Sequence, residues 1–434
     1  MPPAVLDAVR RLGAVLRGSE PYLEVLTSGS TGTPKLVRLT GVALSWSARA
    51  THDWLGGPGR WVLALSPERI AGLQVLTRSI LAADAGVARS LIVAESGFSG
   101  LAAALAAAHF DDAPVYVSLV PTQLVQMLRA GHGASLAACS GVLVGGAAIA
   151  PDLVAAAQDA GIRLVRTYGM TETAGGCVYN GEPLRGVRVR INPYATAQQI
   201  TSSAAIERPA PVVSAVGRIE LSGPMLATGV GYADSSDDGA VWFATNDIGR
   251  FDAAGRLEVL GRLDDVIISG GVNIHPAAVE AAVRPVLSAI FDTEMLACAI
   301  GVPDVYWGQA VAVVAAPLAS GTAHITSDQN MASSNPTPAN RPSGRLQLAT
   351  ARQLAQVRAA IVDRTLAPRH FIILDELPTL SSGKVDRQRL ARLAFDLVGA
   401  RWPDAISPHS AVIADAASVP GNTAAPAAPR GKAA

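Results

Sequence analysis

The stretch from residue 141 to residue 173 reads GVLVGGAAIAPDLVAAAQDAGIRLVRTYGMTET and determines the fold class of the chain. Two apolar runs of strand length, Gly141–Val144 and Leu164–Thr167, lie on either side of an alanine-rich helical segment. Strands and helices that alternate in this way form βαβ units, in which the strands lie parallel in one sheet. The turn Gly145-Gly146-Ala147 and the segment 168–173 each follow a strand. We therefore expect both at the carboxyl ends of the strands, where open α/β sheets bind ligands.

The same alternation extends toward the N-terminus, where the strand-length runs are Trp61–Leu65, Ser90–Val93 and Val115–Leu119. From about residue 186 to about residue 260 the apolar runs become shorter and are separated by turns, which predicts a β-rich subdomain. A helix start at Pro276 and two further strands after it indicate a separate α+β unit.

We therefore predict an α/β protein with two domains. The large domain, residues 1–263, has mostly parallel sheets and the β-rich subdomain, and the small domain, residues 264–402, is an α+β unit. The Ser/Thr/Asn/Pro-rich residues 319–346 predict a flexible insertion in the small domain. The Ala/Pro-rich residues 403–434 predict a disordered tail.

Charge and cysteine content narrow the class of protein. The 434 residues carry 35 basic and 35 acidic side chains without a basic stripe, so we expect no nucleic-acid partner and no membrane insertion. Cys139, Cys177 and Cys298 have neither metal-ligand nor disulfide spacing, which favours a reducing cytoplasm and three small buried side chains. The N-terminal segment has the spacing of an amphipathic helix, not of a signal peptide. The sequence is compatible with a homodimer.

A loop at residues 27–35, TSGSTGTPK, has the composition of a phosphate-binding loop. Glycines let backbone N–H groups approach phosphate oxygens, hydroxyls donate hydrogen bonds, and Lys35 adds positive charge. It is not a Walker loop, and the apolar residues on both sides predict strand–loop–strand. A hairpin with a polar tip explains the loop equally well when it is considered alone. The predicted phosphate ligands are Thr27, Ser28, Gly29, Ser30, Thr31, Gly32 and Lys35.

Four more positions carry side chains suited to nucleotide chemistry. The Tyr168 ring can stack on a purine, and the Glu172 carboxylate can hold Mg²⁺, although Thr171-Glu172 also fits a helix N-cap with an acidic first turn. Asp247, predicted at a strand end, suits a ribose diol or a turn. Lys384 lies at a glycine turn and, taken alone, would be a surface charge.

Five segments occur together in the order of the motifs of the adenylate-forming superfamily, which includes acyl- and aryl-CoA synthetases. The chain resembles this superfamily from residue 23 to residue 390, through TSGSTGTPK (27–35), YGMTET (168–173), TND (245–247), GRLDD…SGGVNIHP (261–276) and SSGKVDR (381–387). Within the superfamily it is most similar to the o-succinylbenzoate–CoA ligases, through AGLQVLTRS (71–79) and GGCVYNG (175–181).

The resemblance implies two half-reactions with ATP, Mg²⁺ and CoA: a carboxylate attacks the α-phosphorus of ATP, and the CoA thiol then displaces AMP from the acyl-adenylate. It implies that Lys384 bridges the carboxylate and the nucleotide, and that Thr171 and Glu172 serve the Mg²⁺-bound phosphates. The implied nucleotide ligands are Gly145, Gly146 and Tyr168 for adenine, with Gly169 and Met170 beside them, and Asp247 for ribose. Arg262 could reach phosphate or ribose oxygens. The resemblance further implies that the small domain is mobile about a hinge at Asp264, and that Ser269, Gly270 and Gly271 line a pantetheine tunnel.

The acid-binding region departs from the superfamily pattern. Arg69 stands where many relatives have histidine, and Asn246 replaces the usual glycine of TGD. Arg69 or Arg78 could neutralise the second carboxylate of a keto-diacid, near Gln74 and Gly176, or could be a surface arginine that snorkels. Two alternatives remain open: an adenylating enzyme for another aryl or fatty acid that loads CoA or a carrier protein, and a catalytically silent nucleotide-binding scaffold.

Overall fold

The computed structural model describes residues 1–27, 35–95, 97–193, 216–233, 239–317, 347–379 and 385–401. The predicted insertion, the predicted tail, residues 28–34 of the phosphate loop and Lys384 lie outside these ranges. Within them, no helix is long and apolar enough to cross a membrane.

The helices include one that begins at Pro276, as the sequence predicts. Their bounds are α1 Pro3–Leu16, α2 Gly41–Leu55, α3 Ile70–Asp84, α4 Phe98–Ala108, α5 Pro121–Arg129, α6 Gly133–Ala137, α7 Pro151–Asp159, α8 Pro276–Phe291, α9 Ala351–Ala360 and α10 Arg387–Arg401. Two single 3₁₀ turns cover Thr171–Thr173 and Arg364–Leu366.

The strands form four groups. A hairpin consists of β1 Leu23–Thr27 and β2 Lys35–Leu39. The large sheet consists of β3 Arg60–Leu63, β4 Leu91–Val93, β5 Val115–Leu119, β6 Gly141–Gly145, β7 Leu164–Met170, β8 Gly175–Tyr179 and β9 Glu182–Pro183. An antiparallel sheet consists of β10 Arg188–Asn192, β11 Gly217–Ser222, β12 Tyr232–Ala233, β13 Val241–Phe251 and β14 Leu257–Arg262. The last sheet consists of β15 Ile267–Ser269, β16 Val272–Ile274, β17 Met295–Asp304, β18 Gly308–Pro317, β19 Gln347–Leu348 and β20 His370–Ile373.

The large sheet confirms the predicted α/β class. Its order is β4-β3-β5-β6-β7-β8-β9, and every pairing from β4 through β7 is parallel. Helices connect these parallel strands, as the βαβ pattern requires. The strands β8 and β9 then extend the sheet in antiparallel fashion.

Side chains that alternate along the strands separate two cores on the two faces of this sheet. Trp61 and Tyr116 belong to one cluster, which also contains residues of α1, α2, α3 and the hairpin. Their neighbours Val62 and Val117 belong to the other cluster, with residues of α4, α5 and α7. Both faces are therefore covered, which is the reason that β5 is buried along its whole length.

The C-terminal sheet is likewise covered on both faces. Along β18, Val311 and Val313 pack with α8, whereas Ala312 and Val314 pack with α10. These two clusters fall within residues 267–394, and the other two fall within residues 5–257. The division into domains at residues 263 and 264 stays a prediction, which this separation of the clusters supports.

Candidate active site

The end of β6 brings backbone close to a neighbouring strand at a glycine. A Cβ atom on Gly145 would lie 2.2 Å from Thr167 Oγ1 and 2.9 Å from the Thr167 carbonyl oxygen. Gly146 follows with φ 84°, a left-handed conformation that favours glycine. The turn therefore exposes backbone at the carboxyl edge of the sheet, where the sequence predicts the adenine.

β7 is longer than the sequence predicts and extends through Met170. It ends in the 3₁₀ turn Thr171–Thr173, where the Thr173 hydroxyl accepts the Met170 N–H at 2.9 Å and bonds the Gly175 carbonyl oxygen at 2.7 Å. The alternative of a helix start with an acidic first turn holds only for this single 3₁₀ turn, which has Met170 and not Thr171 at its N-cap and is followed by β8 at Gly175. The short turn instead fixes the backbone on both sides of Glu172.

Residues 227 and 228, which the sequence did not single out, join the Glu172 turn to the hairpin. The Ala227 N–H donates to the Glu172 carbonyl oxygen at 2.8 Å, and the Thr228 N–H donates to the Arg38 carbonyl oxygen at 2.9 Å. Hydrogen bonds between backbone groups cannot be inferred from the pattern of side chains in the sequence. Their effect is that β2, which begins at Lys35, has a defined position relative to Glu172.

The two flanks of the phosphate loop pair as an antiparallel hairpin, which confirms strand–loop–strand. Thr27 lies opposite Lys35 in the register, and the Thr27 hydroxyl donates to the Lys35 carbonyl oxygen at 3.2 Å. Arg69 Nη1 donates to the carbonyl oxygen of Leu26 at 3.3 Å. Arg69 is therefore directed to the base of this loop.

Asp247 lies within β13 and not at a strand end, which corrects the prediction. Its Oδ2 accepts a hydrogen bond of 2.8 Å from the Tyr168 hydroxyl, and its backbone N–H donates to Thr245 Oγ1 at 3.0 Å. Burial raises the pKa of Tyr168 well above its usual value, and the negative charge of Asp247 adds to the increase. The structure thus brings together the residues that the sequence assigns to adenine and ribose.

Arg262 lies beside both Asp247 and the predicted hinge. Its Nε and Nη2 donate to the two carboxylate oxygens of Asp264, each at 2.8 Å, and its Nη1 lies 3.8 Å from Asp247 Oδ1. The hydrogen bond that Arg262 donates to Asp264 raises the pKa of Arg262, whereas burial lowers it. One guanidinium group therefore connects the ribose side of the site with residue 264.

Arg78 is buried, so the alternative of a snorkelling surface arginine is wrong for this residue. It projects from α3 onto the Trp61 ring, with Cζ 4.9 Å from the centroid, and its Nη2 donates to the Tyr179 hydroxyl at 3.3 Å. Burial lowers the pKa of Arg78. Its Nε has no hydrogen-bond partner among the residues described. A buried cation of this kind is costly unless an anion pairs with it.

Gln74, one turn before Arg78 on α3, faces β8, the strand that carries Tyr179. Its Nε2 donates to the Leu44 carbonyl oxygen at 3.5 Å, whereas its buried Oε1 lacks a hydrogen-bond partner in the described part of the chain. A Cβ atom on Gly175 would lie 3.1 Å from Gln74 Cγ, and one on Gly176 would lie 2.9 Å from a Tyr179 ring carbon. The missing side chain at Gly175 therefore leaves room for Gln74 of α3, and the one at Gly176 leaves room for the Tyr179 ring.

The predicted tunnel residues lie in the β15–β16 hairpin. Gly270 and Gly271 have φ values of 58° and 81°. The Gly270 N–H donates to the Trp307 carbonyl oxygen at 2.8 Å, and a Cβ atom on Gly270 would lie 2.5 Å from the Trp307 ring. Glycine is therefore required here by backbone conformation and by the packing of Trp307.

All three cysteines are free and buried, as predicted. Burial raises the pKa of Cys139, Cys177 and Cys298 to about 12. They are therefore protonated near neutral pH and are not candidates for a nucleophile.

The fold and the site agree with a match to a known family. Residues 12–229 match the family described as AMP-binding enzyme, and the chain belongs to this family. It is 38% identical over 376 residues to a probable 2-succinylbenzoate–CoA ligase of Mycobacterium tuberculosis (strain CDC 1551 / Oshkosh), with 85% of this chain and 84% of the relative covered. It is 28% identical to the 2-succinylbenzoate–CoA ligase of Enterococcus faecalis (strain ATCC 700802 / V583), with 84% and 67% covered.

Solved structures share the fold. The o-succinylbenzoate CoA synthetase of Bacillus subtilis, in complex with the acyl-adenylate intermediate, superposes with a TM-score of 0.61 at 24% identity, over 85% of this chain and 68% of that one. ATP-bound MatB from Rhodopseudomonas palustris superposes with a TM-score of 0.63 at 22% identity, over 86% and 68%.

Proposed function

We propose that this chain is an ATP-dependent acid–CoA ligase that acts on 2-succinylbenzoate in menaquinone biosynthesis. It forms the acyl-adenylate with release of pyrophosphate and then transfers the acyl group to CoA. The observation that carries the proposal is the 38% identity to the Mycobacterium tuberculosis relative, which covers 84% of that protein. We further propose that the enzyme acts in the cytoplasm as a homodimer, a state that light scattering would test.

The nucleotide lies, in this proposal, against the carboxyl ends of β6 and β7. The Tyr168 ring stacks on adenine, the exposed backbone of Gly145 and Gly146 receives the base edge, and Asp247 binds the ribose hydroxyls. The 2.8 Å contact between Tyr168 and Asp247 supports a single continuous surface for adenosine.

The phosphates extend from there toward the hairpin. Lys35 follows the phosphate loop, and Glu172 is joined to the hairpin through the backbone of residues 227 and 228. In the described ranges, no group of three or more His, Cys, Asp or Glu side chains could hold a metal ion. Mg²⁺ would therefore be held by Glu172 together with ATP phosphates, as Mg²⁺ commonly is, and would neutralise developing charge.

The second carboxylate of the substrate is, we propose, recognised by Arg78 and not by Arg69. Arg78 is a buried cation whose Nε lacks a partner among the described side chains, and Gln74 beside it has an unpartnered amide oxygen. A bound carboxylate would give the guanidinium group the anion that its buried position requires. Arg69 instead contacts the end of β1.

The function is tested by pyrophosphate release with ATP and Mg²⁺ across a panel of carboxylic acids. We expect release with 2-succinylbenzoate, and a CoA thioester when CoA is present. Turnover confined to benzoate or octanoate would contradict the assignment of the acid. No release from the whole panel, despite ATP binding, would favour a silent scaffold.

The role of Arg78 is tested by Arg78→Met, which removes the charge and keeps most of the volume. We expect the KM for 2-succinylbenzoate to rise roughly tenfold to a hundredfold, because a charge-assisted hydrogen bond is lost. The KM for 3-benzoylpropionate, the same keto acid without the ring carboxylate, should change little. Arg69→Ala is the matched control, and equal effects of Arg78→Met on both acids would contradict the assignment.

A further inference from the structure

The hydroxyl group of Tyr168 has a contact that stacking on adenine does not need. It donates a hydrogen bond of 2.8 Å to Asp247 Oδ2, between residues 79 positions apart in the sequence. Tyr168 lies on β7 of the large sheet and Asp247 on β13 of the antiparallel sheet. The bond therefore connects the two sheets at the place where we locate adenosine.

The Asp247 carboxylate is held from two sides. Tyr168 occupies Oδ2, and Arg262 lies 3.8 Å from Oδ1. The Asp247 backbone is also tied down, because its N–H donates to Thr245 Oγ1, and Thr245 in turn donates to the Ile219 carbonyl oxygen at 2.8 Å. These contacts restrict the orientation of the carboxylate before any ligand arrives.

We propose that Tyr168 is a positioning residue whose hydroxyl orients Asp247 for the two ribose hydroxyls, separately from the stacking function of its ring. The inference rests on the proposed function only in that adenosine occupies this site. The Tyr168 hydroxyl bonds only one of the two carboxylate oxygens of Asp247, and a carboxylate offers about four lone-pair sites in all. A carboxylate held in advance loses less conformational freedom on binding than a mobile one.

The proton that this role requires is retained. Burial and the negative charge of Asp247 raise the pKa of Tyr168, so the phenol stays a donor throughout the physiological range. Phenylalanine at this position would preserve the ring and remove the donor alone. Tyr168→Phe, which removes a single oxygen atom, therefore separates the two functions of the side chain.

The test is calorimetric binding of AMP, 2′-deoxy-AMP and 3′-deoxy-AMP to the full chain and to Tyr168→Phe. We expect Tyr168→Phe to weaken the binding of AMP about tenfold and the binding of the two deoxynucleotides much less. The preference for AMP over the deoxynucleotides should therefore become smaller. A parallel loss for all three ligands would show that the hydroxyl acts on packing and not on the ribose hydroxyls, and would overturn the proposal. An unchanged AMP affinity would also overturn it.

Tyr116→Phe is the matched control, because it removes another buried phenol whose hydroxyl donates to the Gly57 carbonyl oxygen at 3.2 Å. It should leave AMP affinity unchanged. Asp247→Asn and the double variant Tyr168→Phe/Asp247→Asn give a second measurement, in which the two losses should be strongly non-additive. Additive losses would contradict a coupling between the two residues.

Failure of this inference and failure of the ligase assignment give different results. Selective loss of AMP binding in Tyr168→Phe without turnover of any acid would support the role of Tyr168 and contradict the ligase. Turnover of 2-succinylbenzoate with a parallel loss for all nucleotides would do the reverse. A wild-type chain that binds no AMP would overturn both.

Discussion

The buried core around Trp61 holds ionisable side chains next to the Trp61 indole. Trp61 Nε1 donates to His52 Nε2 at 3.2 Å, and Arg78 lies over the same ring. Burial, followed by the positive charge of Arg78, lowers the pKa of His52 to about 4. His52 is therefore neutral in the folded protein at neutral pH, with Nε2 as an acceptor.

This arrangement predicts a pH-dependent stability. The folded protein disfavours protonation of His52, whereas the unfolded chain binds this proton near the ordinary histidine pKa. The contribution of His52 to stability is therefore present above about pH 6.5 and is lost as the pH falls toward 4. Between about pH 7 and pH 5 the contribution of His52 should decrease by about 2 kcal/mol. Urea unfolding at both pH values measures this change.

The comparison that isolates His52 is between two variants. His52→Gln should abolish that part of the pH dependence, whereas His109→Gln, at an exposed position, should keep it. If the wild type and His52→Gln show the same loss of stability at low pH, the proposed neutral state of His52 is wrong.

At the scale of the element, the β7–β8 pair combines close backbone approach with an irregular register. Gly169 lies opposite Gly176, and Tyr168 lies opposite Val178, so the ladder shifts between them. A Cβ atom on Gly169 would lie 2.1 Å from the Gly175 carbonyl oxygen. A β-bulge changes the direction in which the neighbouring side chains point, and bulges are common next to active sites. Glycine at 169 is therefore required for the position of Tyr168.

Gly169→Ala should consequently lower both stability and nucleotide binding. The clash is with backbone, which cannot rotate away, so we expect a loss of roughly 1–3 kcal/mol in unfolding free energy. AMP binding should weaken as well, since the strand that carries Tyr168 must move. Urea unfolding and calorimetry measure the two effects.

Gly133→Ala is the control for this substitution. A Cβ atom there would be 3.5 Å from Leu128 and 3.6 Å from Ala160, which are ordinary contacts. It should be neutral or slightly stabilising, because alanine is the better helix former in α6. Equal effects at residues 133 and 169 would contradict the argument from backbone contact.

At the scale of the whole molecule, ion pairs join the two parts of the chain that we predict to be domains. Arg129 of α5 pairs with Glu294, and Arg284 of α8 lies 3.8 Å from Asp152. Both pairs include an exposed carboxylate, so each pair contributes little free energy and can be broken at low cost. Such contacts are compatible with the rotation about Asp264 that we predict.

That rotation leads to a prediction for Lys384, which we assign to the small domain. Lys384→Ala should abolish acyl-adenylate formation, because that step brings a carboxylate to the ATP polyanion and needs positive charge. Thioester formation from supplied acyl-adenylate and CoA should be retained. Pyrophosphate release and thioester yield measure the two steps separately, with Lys432→Ala as a matched control. Equal loss of both steps would contradict the assignment.

The sequence by itself determined the elements whose burial is uniform and the motifs whose residues are neighbours. β5 was predicted at its exact bounds because every residue in it is buried on a covered sheet. The hairpin on both sides of residues 28–34 was predicted from a different local feature, because apolar runs of strand length enclose a polar loop. Membership of the AMP-binding family likewise follows from short segments that can be read along the chain.

Only the tertiary structure decided which distant side chains meet. An arginine on a helix ordinarily reaches solvent, but Trp61 and Tyr179, from two different strands, enclose Arg78. The Tyr168–Asp247 bond depends on how two sheets pack, and no spacing in the sequence records that. The physical reason is that the spacing of apolar residues within a helix or strand shows which of its side chains will be buried. Which distant side chain becomes the partner depends on how the elements pack in the whole fold.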